Sequence, residues 1–285
     1  MFGVTGYSYA MKVIRLRRIL LTIFGLPFWS LLFFGCDHTS EVIVPPPVKS
    51  INSAINLTSF EKLDSGLVSF ELRCLTDSFY SCANYTIGFQ LDTIADTLDL
   101  TFTEISRPGV CLPATAKAFA IVNLGAIANG TYQFPITVKS VSAPAQIVVT
   151  DSTIEITNGD STWTKILRPV LHRIPDSTIW GQVGYNQASA LDSANTFFDS
   201  LVSIGASAET LSTGSYGYFY FDNAGNPDSI LELGPSIGTT FRIPYVYHYT
   251  GDTATLHSLI TAYANQANVV EVNVITSEGY EYRSW

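Results

Sequence analysis

Leu67-Val68-Ser69-Phe70-Glu71-Leu72-Arg73-Cys74 is a short run of β-forming residues. Similar runs follow at Tyr85 to Leu91, Thr97 to Ile105, Ala118 to Leu124, Thr131 to Val138 and Gln146 to Thr150. Turn residues punctuate the series at Asp64-Ser65-Gly66, Arg107-Pro108-Gly109 and Asn129-Gly130. Branched and aromatic side chains suit a pleated, half-buried surface. Many such runs, broken by turn signals at this spacing, predict an all-β sandwich of antiparallel strands over residues 51–157.

Within this region the segment Leu124-Gly125-Ala126-Ile127-Ala128-Asn129-Gly130-Thr131-Tyr132 resembles the tyrosine corner of immunoglobulin-like domains. The resemblance implies that the Tyr132 hydroxyl ties the corner to backbone a few residues upstream. Cys74, Cys82 and Cys111 lie in the same region. If strand 67–74 runs one way, 85–91 back and 97–105 forward again, the loops carrying Cys82 and Cys111 share an end. That favours a Cys82–Cys111 disulfide, with Cys74–Cys111 next. Three free thiols and a zinc site are the alternatives. No histidine lies nearby and no C-x-x-C occurs, so no metal is expected.

Residues 158–176 read as a linker. Arg168-Pro169 and Ile174-Pro175 discourage helix and limit strand pairing. Trp163, Ile166 and Leu167 are the residues to pin it. From residue 177 to 285 the pattern changes. Thr178 to Tyr185 predicts a strand, and Ala188 to Ile204 a helix with Leu191, Ala194, Phe198 and Leu201 at steps of three and four. Tyr216 to Phe221, Ser229 to Leu233, Thr240 to Tyr249 and Val269 to Thr276 predict strands. Thr253 to Ala264 predicts a helix with Asp252 as N-cap. This order resembles the ferredoxin-like α+β arrangement, with an extra hairpin near 229–233.

Ahead of both regions stands an address. Lys12, Arg15, Arg17 and Arg18 precede an uncharged apolar stretch from Ile19 to Gly35. A cationic head, an apolar middle and a small residue before the cut make a signal peptide over residues 1–35, with Met11 read as the true start. Leu32-Phe33-Phe34-Gly35-Cys36 resembles the lipobox of bacterial lipoproteins. Phe33 stands where that family usually has Leu, and Phe34 where a small residue is common. The resemblance implies cleavage before Cys36 and acylation of its thiol, which places the chain in the bacterial cell envelope, on the outer membrane or cell surface. The other reading is an uncleaved span. Pro45-Pro46-Pro47 makes residues 36–50 a semi-rigid spacer behind the lipid.

Four of the 15 Lys and Arg precede Cys36; the remaining 11 against 24 Asp and Glu give −13 from Cys36 onward, compared with −9 overall. An acidic chain without a basic run argues against nucleic acid as partner. It argues equally against an electrostatic hold on anionic lipid, leaving the attached lipid as the expected membrane contact.

No catalytic motif, cofactor cradle or metal loop stands out. His172, His248 and His257 fall on a linker, a strand and a helix. Asp222-Asn223-Ala224-Gly225-Asn226-Pro227-Asp228 is rich in oxygen but lacks EF-hand spacing, and reads as a hairpin turn. Tyr216, Tyr218 and Tyr220 alternate on one predicted strand; Tyr245, Tyr247 and Tyr249 alternate on another. An open sheet face carrying them would suit a glycan or a protein partner. Phe241 and Ile243 share the parity of Tyr245, which would turn that triplet inward instead. Of 14 Asp, 11 are followed by Ser or Thr, and nine of those continue with Ala, Ile, Leu or Thr. The pattern suits turns and caps; it also resembles an O-glycosylation sequon of exported bacterial proteins. The expected function is a non-catalytic binding or assembly module at the membrane. The alternative is an envelope hydrolase with its site between the two domains.

Overall fold

A computed structural model describes residues 48–107, 109–231, 239–263 and 271–284. The stretch read as a signal peptide, Cys36 and the stretch read as a spacer up to Pro47 lie outside the described residues, as do Glu232, Leu233, Val269 and Val270 of two predicted strands.

The first body is built from strands alone. They are β1 (Val48–Lys49), β2 (Ile55–Asp64), β3 (Leu67–Tyr80), β4 (Thr86–Ile94), β5 (Thr97–Ser106) and β6 (Ala116–Gly125). Then come β7 (Gly130–Val138), β8 (Val141–Val149), β9 (Thr153–Thr157), β10 (Thr164–Arg168) and β11 (Val170–His172). Side chains alternate in and out, as at Leu98, Leu100 and Phe102 of β5, which are buried while Asp99 and Thr103 are exposed. Leu57, Leu72, Leu100, Phe134, Ile136 and Ile147 fill the interior. Each contributes about 1.5–3 kcal/mol on leaving water.

One hydrogen-bonded path runs β10-β2-β3-β6-β4-β5-β7-β8-β9-β11, with β1 attached to β5. Its two ends, β10 and β11, are separated in the chain only by Pro169. The sheet therefore curls until its edges meet, as a nearly closed, barrel-like wall. This corrects the immunoglobulin-like sandwich, which needs two separate antiparallel sheets. The pairs β4–β6, β5–β7 and β10–β2 are parallel and join into one sheet what would have been two. Residues 158–176, read as a linker, supply β10 and β11. Pro169 sits in the gap between them, where its missing N–H costs no ladder bond, and its carbonyl accepts from Ile156 N at 2.8 Å. The predicted local bond of Tyr132 does form, its hydroxyl donating to Ala128 O at 2.9 Å.

The second body begins with β12 (Thr178–Tyr185), α1 (Leu191–Ser203), β13 (Ser207–Ala208), β14 (Gly214–Ser215), β15 (Phe219–Phe221) and β16 (Pro227–Ile230). It continues with β17 (Phe241–His248), α2 (Thr253–Tyr263), β18 (Glu271–Thr276) and β19 (Glu281–Arg283). The sheet order is β13-β17-β12-β18-β19, and β12 runs antiparallel to both neighbours. The stretch expected as its second strand, 216–221, leaves the sheet altogether and forms the small sheet β14-β15-β16. The fold class is thus mostly β, and the ferredoxin-like α+β expectation is corrected with the sandwich.

Both faces of the five-stranded sheet are covered, so every residue of β12 is buried. On one face α1 and α2 cover Val183, Tyr245, Val272 and Val274 with Phe197, Leu201, Leu256 and Ile260. On the other, Trp180, Val246 and Ile275 meet Tyr216, Tyr218, Phe219 and Phe221 from the small sheet, and Phe60 from the barrel. The barrel and this body form one compact unit, Pro45–Trp285. At their junction the Phe60 and Tyr218 rings lie 4.9 Å apart. There Leu63 N donates to the Tyr218 hydroxyl at 2.9 Å, and Gly66 N to Glu278 O at 2.7 Å.

Candidate functional site

The predicted tyrosine face divides between two cores and a groove. Gly217, at φ +79°, breaks the extended backbone between Tyr216 and Tyr218, so the expected alternation fails there. Tyr216 is buried against His172, its ring 5.0 Å away, and its hydroxyl donates to Ser212 O at 3.0 Å. Tyr218 is buried at the junction, and Tyr220 is half-buried on β15. Burial pushes the Tyr216 phenol above its ordinary range.

Tyr245 and Tyr247 lie on the helix-covered face, as the parity of Phe241 and Ile243 implied. Tyr245 stands opposite Gly181 on β12, and its hydroxyl donates to Asn273 O at 2.6 Å. A Cβ on Gly181 would sit 2.0 Å from that same carbonyl oxygen, so the glycine is what leaves room for the bond. Burial raises the Tyr245 phenol well above its usual value. Tyr245 is a buried structural residue. Tyr247 is half-buried, and its ring lies parallel to that of Phe198 on α1, with centroids 6.4 Å apart and planes within 2°. Desolvation, then the nearby carboxylate of Asp199, raise its phenol.

These rings line an open groove of about 500 Å³ between α1, the outer edge of β17 and the turn at 222–227. Asn195, Glu209, Thr210 and Asn226 supply amide, carboxylate and hydroxyl groups around it. The groove exists because β13 is so short. It pairs with β17 only at Ser207–His248 and Ala208–Tyr247, so among the described residues no strand pairs with Phe241 to Tyr245 on that side. Pro244 sits on this edge, where a proline blunts pairing with another chain. The turn itself is tied by Asp222, whose Oδ1 accepts from Ala224 N at 2.8 Å and Asn226 N at 2.9 Å. That carboxylate serves the backbone turn.

The three histidines stay apart. His172 packs at the junction, His257 lies against the Tyr282 ring at 5.3 Å, and His248 lies beside Glu209, which lines the groove. His248 Nδ1 is 3.6 Å from Glu209 Oε2. Ser207 stands opposite His248 in the ladder, but no hydrogen bond joins its hydroxyl to the imidazole. A nucleophile activated by that pair would need such a bond. Sequence reasoning missed Glu209 and Asn226 because nothing local marks a carboxylate and a turn amide as neighbours of β17.

Cys82 and Cys111 form a disulfide, while Cys74 is free and buried, its thiol pushed far up by burial. Among the described residues no group of three or more His, Cys, Asp and Glu could hold a metal, and no helix is long and apolar enough to cross a membrane. Comparison with protein-family models, curated proteins and solved structures gives no match to this chain.

Proposed function

We propose that this chain is a lipid-anchored protein of the bacterial cell envelope, held through Cys36, that acts as a non-catalytic binding module. The ligand class best suited to the groove is a glycan. A pyranose ring has a C–H face and a rim of hydroxyls. The groove offers an aromatic surface, Tyr247 with Phe198, ringed by Asn195, Asn226 and Glu209. That aromatic platform, with polar groups at its margin, is the observation that carries the reading. An open groove along a strand edge suits an extended polymer better than a small enclosed metabolite.

A hydrolase is the second reading, and one observation favours it: His248 pairs with Glu209, a carboxylate that lines the same groove. Titration of the chain with oligosaccharides from envelope polymers separates the two. A binder retains the oligosaccharide intact, and Tyr247→Ala weakens binding about three- to tenfold, the worth of one aromatic contact. Product release that stops in His248→Ala would make the chain an enzyme and end the binding reading.

A further inference from the structure

The barrel has two unlike ends. Strand directions place the 64–66 turn, and the second body that touches it, at one of them. At the other the chain arrives: Val48 and Lys49 pair with Ser106 and Ile105, at the end of β5. The loops 81–85 and 109–115 converge there, since Thr86 opposes Ser106 and Tyr80 opposes Ala116. The Cys82–Cys111 disulfide clamps the two loops together. The turn at Lys139-Ser140 and the loop before β10 reach the same end, because β7 runs parallel to β5, and β10 to β2.

This end carries an apolar tip and a ring of cations. Phe79, Val110 and Leu112 are exposed by 65%, 85% and 57%. Exposure alone does not decide, because Leu67 and Ile94 at the opposite end are as bare. Charge does. Of the five lysines after Cys36, Lys49, Lys117, Lys139 and Lys165 all stand here, joined by Arg107; only Lys62 stands at the other end. Against them are Asp77, Glu104 and Asp160, in a chain that is strongly acidic overall. Three of these lysines lie over aromatic rings: Lys49 over Tyr85 at 5.0 Å, Lys117 over Phe79 at 5.6 Å and Lys139 over Trp163 at 4.0 Å. Trp and Tyr with lysines whose stems lie along apolar surface make up the side-chain set of a membrane–water interface.

We propose that this rim is a second membrane contact, resting on an anionic phospholipid surface. It deepens the envelope reading and rests on it, for Val48 follows Cys36 by a dozen residues of chain. Seated this way, the barrel stands end-on, with the second body and its groove directed away from the bilayer. The absence of a basic run in the sequence concealed the rim, because its cations come from five separate segments.

Reactive labelling of lysine amines tests it, using the full chain purified and reconstituted in phosphatidylglycerol vesicles and, in parallel, in phosphatidylcholine vesicles. Lys62 is the internal reference, its side chain 49% exposed. The rim predicts that Lys49, Lys117 and Lys139 label about fivefold more slowly, relative to Lys62, on the anionic vesicles. Salt at about 0.5 M should erase most of that difference. Equal relative rates on both vesicles would overturn the proposal. The mass of the mature amino terminus from native membranes is read separately. Acylated Cys36 with an unshielded rim ends the rim and leaves the anchor standing. A shielded rim without acylation does the reverse.

Discussion

Gly279 lies in the β18–β19 turn at φ +83°, where the second body meets the barrel. A Cβ there would fall 2.6 Å from the carbonyl carbon of Leu63 and 2.7 Å from Asp64 N and Leu63 O. All three are backbone atoms that a rotamer change cannot move. The left-handed conformation costs a non-glycine residue about 1–2 kcal/mol. Overpacking against fixed atoms costs about 1–3 kcal/mol more. Gly279→Ala should therefore destabilise the chain by about 2–5 kcal/mol, a large part of a typical domain's stability. Gly205 supplies the control, with φ +96° and nothing within 4 Å of its Cβ position. Gly205→Ala should cost only the conformational part, about 1–2 kcal/mol. Urea unfolding, followed by the fluorescence of buried Trp180, gives both values from the shift in midpoint. Equal costs for the two substitutions would refute the close backbone contact between the turns at 64–66 and 277–280, and with it the interlocked junction.

Other outcomes follow from the same geometry. Replacing Cys82 and Cys111 by Ala opens a loop of 29 residues and should lower stability by about 3–4 kcal/mol in chemical denaturation, whereas Cys74→Ala leaves the disulfide intact. Asp252 is held below the ordinary carboxylate range by hydrogen bonds from the Thr255 side chain and backbone, and Asp77 by Asn56 and then Lys165. Because both are depressed on folding, their stabilisation is complete above a pH of about 4 and fades as pH falls through their folded values. Asp252→Asn should flatten the acid arm of a stability–pH curve. All eleven aspartates of the Asp-Ser and Asp-Thr pairs are exposed, and none of the hydroxyl partners is buried. The sequon reading predicts sugar mass, on chain from native membranes, at the nine pairs that continue with Ala, Ile, Leu or Thr, and an unmodified intact mass would reject it.

What the sequence disclosed was local. The tie of Tyr132 to Ala128 and the cap on α2 by Asp252 depend on a few adjacent residues, and both are present. The Cys82–Cys111 pairing needed only three strand directions. What failed was adjacency between distant strands. Alternation in β4, β5, β6 and β7 tells which side chains face inward, but it is silent on which strand lies beside which. The parallel pairs that close the barrel therefore had no signature. Pro169 misled in the same way, since a proline between two strands and a proline in a linker look alike from sequence. The tyrosines were read as an open face because the small sheet that buries Tyr216 and Tyr218 comes from that same stretch. The groove was legible only through Tyr245 and Tyr247. Phe198 was assigned to the helix core, and Glu209 and Asn226 join the site through tertiary packing alone.

The central claim is that the groove beside Tyr247 and Phe198 holds a glycan. Isothermal titration of the chain with oligosaccharides from bacterial envelope polymers tests it most directly. The account predicts saturable binding that Phe198→Ala and Tyr247→Ala each weaken, with Ser207→Ala unchanged. Binding that survives both aromatic substitutions, or no heat with any envelope glycan, would contradict it.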